Sequence, residues 1–341
     1  MPAHDQFDMP FDDGFEDPEF DTGDDFDSPD DVPSGTGVLT ENGTRTLTHP
    51  ITGKRIRSPR ASQFAKAVAD DFTLVEWKIA MVALGLGKRE DLVALAQSQP
   101  FPSDPVELRP KGWWTPWNEI AHQAMDAAEW KSGAHKGTAI HSWAEQFDRG
   151  QITLGDVPVR WRPHLLNLLR VREEAGLTVD RRYLETGVYT DFLHNGVNGR
   201  LDSLMRDPSG QLVTQDLKTG KQAPKGLDEI AVQLAIYANA EWHLDMETGV
   251  FRPAPLNVRK DVAVITWVPI DRPEAAEVIP VDIAWGWQAA KASSWLRAYR
   301  NRAQRKNNGL RLPLSALSQA PGTRSELERQ MTDFLSSREQ S

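Results

Sequence analysis

Cysteine is absent from the 341 residues. That excludes disulfides, zinc–thiolate sites and iron–sulfur clusters, all of which need sulfur ligands. Nothing approaches the run of about 18 apolar residues that a membrane-spanning helix requires, so no membrane association is expected. The Gly-x-x-x-x-Gly-Lys-Ser/Thr loop that cradles nucleotide phosphates is also missing, which argues against a helicase motor. Positive charge is lacking at the start, where no Lys or Arg precedes Arg45. The basic opening of a secretory signal is therefore not there, and a cytoplasmic location is the expectation.

Negative charge is abundant in that same stretch. Residues 1–44 hold 14 of the 49 acidic residues, so the net charge of -10 is not a property of the whole chain. From Arg45 onward, 39 basic residues face 35 acidic ones, a balance of +4. A mildly basic body suits a polyanionic ligand. The acidic stretch, rich in Asp, Gly and Pro and without periodicity, is expected to be disordered. Phe7, Phe11, Phe15, Phe20 and Phe26 punctuate it. It is either a solvating tail, a docking segment for a partner protein, or a cover for the basic surface of its own body.

With 39% hydrophobic residues and a mean hydropathy of -0.51, the rest reads as a soluble globular body. Residues 45–112 are expected to form a helical extension, with Ser58-Pro59 starting a helix and Gly85 and Gly87 interrupting its apolar faces. Trp113-Trp114-Thr115-Pro116-Trp117 either stacks unpaired bases or folds onto the core. Residues 113–306 are expected to form the main domain. Helices are predicted near 118–130, 138–149 and 162–174, followed by strands near 181–190, 197–205 and 211–218. A helix near 227–242, a strand near 262–268 and a basic helix near 283–304 complete it. That last helix carries Lys291, Arg297, Arg300, Arg302, Arg305 and Lys306, which either contact phosphates or form a solvated face. Residues 307–341 are a polar C-terminal segment.

Two acids stand out within the strands. Gly199-Arg200-Leu201-Asp202 and Asp216-Leu217-Lys218 flank Asp207-Pro208-Ser209-Gly210, a turn signature with Pro where φ is preset and Gly where it can be positive. An antiparallel hairpin would bring Asp202 and Asp216 together by pairing, and both could converge on one hard cation. Lys218, two residues after Asp216, would share its face. Upstream, Gly137-Thr138 reads as a helix start carrying His141, with Glu145 one turn on. Glu145 either orients His141 or faces solvent. Downstream, Gln233 and Tyr237 sit four apart on one helical face.

In this order, the histidine, the strand glutamate Glu185, Asp202, Asp216-Leu217-Lys218 and the Gln233/Tyr237 pair resemble the RecB-like branch of the PD-(D/E)XK nucleases. That branch includes the nuclease domains of recombination helicases and the CRISPR-associated and phage exonucleases. The resemblance covers roughly residues 137–270 and implies an α/β fold, a restriction-endonuclease-like mixed central sheet flanked by helices. It implies a Mg²⁺- or Mn²⁺-dependent DNA exonuclease of phage recombination or replication. His141, Asp202, Asp216 and the Leu217 carbonyl would be its metal ligands, and Glu185 would lie near the metals. Lys218 would orient water and stabilise charge, while Gln233 and Tyr237 would support the lysine and the phosphate. Lys221 and Lys225 are either phosphate contacts or an ordinary solvated loop. A single-strand annealing or binding protein is a conceivable partner for the tail. The iron–sulfur cluster that several members carry has no ligands here.

Overall fold

The computed structural model describes residues 39–41, 44–68, 72–100, 116–130, 132–193, 196–224, 227–245 and 248–303. The punctuated part of the acidic tail, Trp113 to Thr115 of the tryptophan cluster, Lys225 and the polar C-terminal segment lie outside the described residues.

Strands β1 (Leu39–Glu41), β2 (Thr44–Thr48) and β3 (Arg55–Ser58) form a small antiparallel sheet. The helix expected from Ser58 therefore begins later, as α1 (Ala61–Ala65). The physical reason is local and tertiary at once. Proline disfavours helical geometry in the residue before it, and Asn198 holds the segment extended. Its side-chain Nδ2 donates to Ser58 O at 2.8 Å and Pro59 O at 3.2 Å, and its backbone N–H donates to Pro59 O at 3.0 Å.

Helices α2 (Phe72–Lys88), α3 (Glu90–Ser98) and α4 (Pro116–Ala127) follow. Gly85 does not interrupt α2. A Cβ there would lie 1.7 Å from Ala124 O, so the glycine lets α2 and α4 approach backbone to backbone. In a helix interior it costs about 1 kcal/mol relative to Ala, offset here by the close packing.

Next come α5 (Ser132–Asp148) and α6 (Arg162–Glu174), and then a three-strand meander of β4 (Thr178–Thr190), β5 (Val197–Arg206) and β6 (Leu212–Lys218). The β5–β6 turn forms as its residues dictate: Gly210 has φ +82°, and Asp207 Oδ1 accepts from Ser209 N and Gln211 N. Helix α7 (Leu227–Ala238) leads to a hairpin of β7 (Trp242–Asp245) and β8 (Val250–Pro253). It ends four residues before the expected Trp242, because β7 pairs with β4. Strand β9 (Val262–Trp267) runs parallel to β6, β10 (Glu277–Asp282) pairs antiparallel with β9, and α8 (Ile283–Ala303) closes the described chain.

The result is the expected α/β fold, a seven-stranded mixed sheet in the order β10-β9-β6-β5-β4-β7-β8 flanked by helices. Strand β10 holds Pro280 at the sheet edge, where its missing N–H costs no ladder bond. One core packs α1, α7 and α8 on the sheet through Phe64, Leu204, Leu234, Ile236 and Ile265. Another joins α5 and α6 to it through Ile140, Leu165, Leu168 and Leu217. Among the described residues no helix is long and apolar enough to cross a membrane.

Candidate metal centre

The strand registers assemble the acids. Leu184 pairs with Ser203 and Thr186 with Leu201, which sets Glu185 opposite Asp202. The last β5–β6 rung is Ser203 with Gln215, so the same register continued by one residue sets Asp216 opposite Asp202. Thus β4, β5 and β6 deliver one carboxylate each.

Glu185 does so at a conformational cost. Its φ is +49°, the left-handed region that a non-glycine residue seldom occupies, just beyond a register shift between Val179 and Leu184. Arg149, the residue just after α5, supports this turn of backbone by donating from Nη2 to Leu184 O at 3.1 Å. Glu145, in turn, pairs with Arg149 Nε at 2.8 Å. Of the two alternatives for Glu145, orienting His141 or facing solvent, the structure shows neither, but an ion pair with that arginine.

His141 arrives from α5. The helix starts at Ser132, not at Gly137-Thr138, so His141 lies in its middle. Its Nδ1 stands 3.7 Å from Asp202 Oδ2, and that same oxygen accepts the Leu217 N–H at 2.7 Å. One donor atom each from His141, Glu185 and Asp202 lies within 4.8 Å of the others. Such a set can hold a metal ion.

Asp216 and Lys218 stand beside the triad. Asp216 is buried, and Lys218 Nζ lies 3.1 Å from its Oδ2. The ammonium faces that oxygen as its cationic partner, and both charge and hydrogen bonding from Lys218 favour the ionised carboxylate. Burying a carboxylate is costly unless a cation faces it. The donor set, mostly carboxylate oxygen with one imidazole, fits Mg²⁺ or Mn²⁺.

The electrostatics reflect crowding of anions. Burial, reinforced by the Asp202 charge and opposed by Arg200, pushes Glu185 up to about 8. Burial likewise lifts Asp216 to about 6, with Lys218 pulling it down and Asp202 adding to the rise. Tyr237 is held as a neutral phenol by burial and by the charges of Asp216 and Asp202. Its oxygen accepts from Gln233 Nε2 at 3.0 Å. The ring lies over Gly199, where a Cβ would be 2.4 Å from Tyr237 Cε1. Only glycine leaves that space.

Lys221 is exposed in the loop after β6. Of the basic residues on α8, Arg297 is engaged inward: its Nη2 donates to Gln63 O and its guanidinium lies 5.2 Å from the Phe64 ring.

Two features escaped the sequence reading. Arg200 Nε lies 2.8 Å from Glu185 Oε2, and its position two residues before Asp202 could have flagged it. A buried network has no such signal. Arg172 on α6 donates to Asp148 at 2.9 Å and to Gln215 Oε1 at 3.1 Å, while Ser203 Oγ donates to Gln215 Oε1 at 2.6 Å. Ser203 and Gln215 adjoin Asp202 and Asp216, and strand alternation sends them to the opposite face.

Fold and cluster together define an α/β protein with a His/Glu/Asp set able to bind a metal on its central sheet. No protein-family model matches the chain, and no curated protein does. Among solved structures, the crystal structure of SSO0001 is similar at 14% identity over 61% of this chain and 83% of that one, with a TM-score of 0.24. At that score the superposition bears on neither fold nor function.

Proposed function

We propose that this protein is a Mg²⁺- or Mn²⁺-dependent deoxyribonuclease of the RecB-like PD-(D/E)XK type, acting as an exonuclease in phage DNA recombination or replication. The observation that carries this reading is the meeting of His141, Glu185 and Asp202 beside the Asp216–Lys218 pair.

Phosphodiesters resist hydrolysis because their anionic centre repels the nucleophile. A divalent cation, when bound, neutralises that charge and supplies hydroxide near neutral pH. His141, Glu185 and Asp202 would hold it, with Asp216 and the Leu217 carbonyl as further donors. The Leu217 N–H fixes the Asp202 carboxylate. Lys218 would orient the attacking water and stabilise charge developing on the phosphate. Tyr237, kept protonated, retains a proton to donate to a phosphate oxygen while Gln233 holds its own oxygen. Lys221 and Lys225 would contact the DNA backbone.

An endonuclease or structure-specific nuclease would use the same site, because end preference resides in the channel and not in the chemistry. A catalytically silent DNA-binding protein would not need Lys218 beside Asp216. End-labelled single- and double-stranded DNA, linear and closed circular, incubated with Mg²⁺ or Mn²⁺, distinguishes all three. Digestion of linear DNA from labelled ends supports the exonuclease, and cleavage of circles supports the endonuclease. No cleavage with either metal sinks the catalytic reading.

A further inference from the structure

Arg200 has no part in the chemistry above, yet it stands at the cluster. The β4–β5 register sets it opposite Gly187, and its guanidinium runs diagonally to Glu185, Nε to Oε2 2.8 Å. Two residues from Asp202 on one strand, it shares that residue's face. The two ends of the ion pair differ in exposure, 13% for the Glu185 side chain and 45% for that of Arg200. The anion is also anchored by its turned backbone and by the Arg149 bond to Leu184 O. A pair with a fixed, buried anion and an open cation is built so that the cation can leave.

We infer that Arg200 is the resident counter-cation of Glu185, displaced when a divalent ion takes that carboxylate and then engaged by a non-bridging oxygen of the substrate phosphate. The inference rests on the metal-dependent reading of the site. Each carboxylate has a basic neighbour: Lys218 for Asp216, His141 for Asp202 and Arg200 for Glu185. An arriving divalent ion competes with Arg200 for one carboxylate. The guanidinium is weakly hydrated, and its planar fork matches a phosphate, so the incoming anion is its natural second partner. The exchange moves a charge and breaks no covalent bond.

Mn²⁺ binding to the full chain without DNA, followed by electron paramagnetic resonance, tests the first half for wild type, Arg200→Ala and Arg200→Lys. Removing the competitor is expected to tighten Mn²⁺ binding about two- to fivefold, the scale of one partly exposed ion pair. Arg200→Lys is expected to keep the wild-type Mn²⁺ affinity. In cleavage assays both variants are expected to raise KM for DNA, Arg200→Ala the more, with kcat changed less. A purely structural ion pair would behave oppositely, since its loss would loosen Glu185 and weaken Mn²⁺ binding. Weaker or unchanged binding in Arg200→Ala therefore overturns the role given to Arg200, as does an unchanged KM. Wild-type protein that binds no Mn²⁺ overturns the metal reading itself, and is told apart because it appears before any variant is compared.

Discussion

Glu185 combines a left-handed backbone, burial and two carboxylate neighbours, and its protonation reports on the site. Both Glu185 and Asp216 titrate above the ordinary carboxylate value near 4. The folded protein then binds protons that the unfolded chain has released, so this pair favours folding most at low pH. That contribution is lost as pH rises from about 4 through about 6 for Asp216 and about 8 for Glu185. A divalent cation takes the place of those protons, and of Arg200 beside Glu185 once that carboxyl is ionised. The rise in Tm on adding Mg²⁺ is therefore expected to grow from about pH 5 to about pH 8.5. Thermal melts with Mg²⁺ and with EDTA across that range measure it, and a shift that is flat or shrinks with pH contradicts the assignment. Substitutions separate the roles. Asp202→Asn or Asp216→Asn should abolish cleavage in a folded protein. His141→Ala should lose activity that high Mn²⁺ partly restores, because a neutral ligand contributes affinity without charge. Lys218→Ala should lower kcat by roughly two to three orders of magnitude with DNA affinity little changed, the scale of losing one donor to developing charge.

The strands that carry the acids depend on what lies behind them. Arg172, Asp148, Gln215 and Ser203 tie α6, α5, β6 and β5 into one buried network. Asp148 shares its helix with His141, so the same contacts position the elements bearing His141, Asp202 and Asp216. Arg172→Met is expected to destabilise the fold by about 3–5 kcal/mol in urea denaturation, because it strands the Asp148 charge. Adding Asp148→Leu should recover part of that loss. If the single variant is as stable as wild type, the network does not hold these elements. The hairpin was legible from Asp207 to Gly210 and from the two flanking acids, because its pairing is local and its turn chemistry explicit. The network was not, because Arg172 and Asp148 are far from Gln215 in sequence and a single buried arginine has no pattern. Helix starts at Ser58 and Gly137 were misplaced for a similar reason: Asn198, far along the chain, holds the first segment extended. Gly85 shows the same limit, since the partner that requires a glycine is Ala124 on another helix.

Charge is distributed unevenly over the whole molecule. An acidic stretch of 14 carboxylates precedes a body of net +4. If that stretch competes with DNA for the body, a chain starting at Gly37 should bind DNA more tightly, most of all at low salt, since salt screens both the tail and the phosphate contacts. If it docks a single-strand annealing or binding protein instead, DNA binding should be unchanged and only that association lost. Salt-dependent binding curves and a pull-down with the two chains distinguish these outcomes, and identical behaviour in both leaves a solvating role.

The three carboxylates all come from one antiparallel meander, β4 to β6, whereas His141 comes from α5, which precedes it. Short-range pairing forms early in folding because little loop-closure entropy opposes it. The oxygen side of the cluster can therefore assemble before the nitrogen side docks. Refolding in the presence of Mn²⁺ should accordingly show the strands gaining protection from hydrogen exchange first, with the ion slowing the undocking of α5 more than it speeds the pairing of the strands.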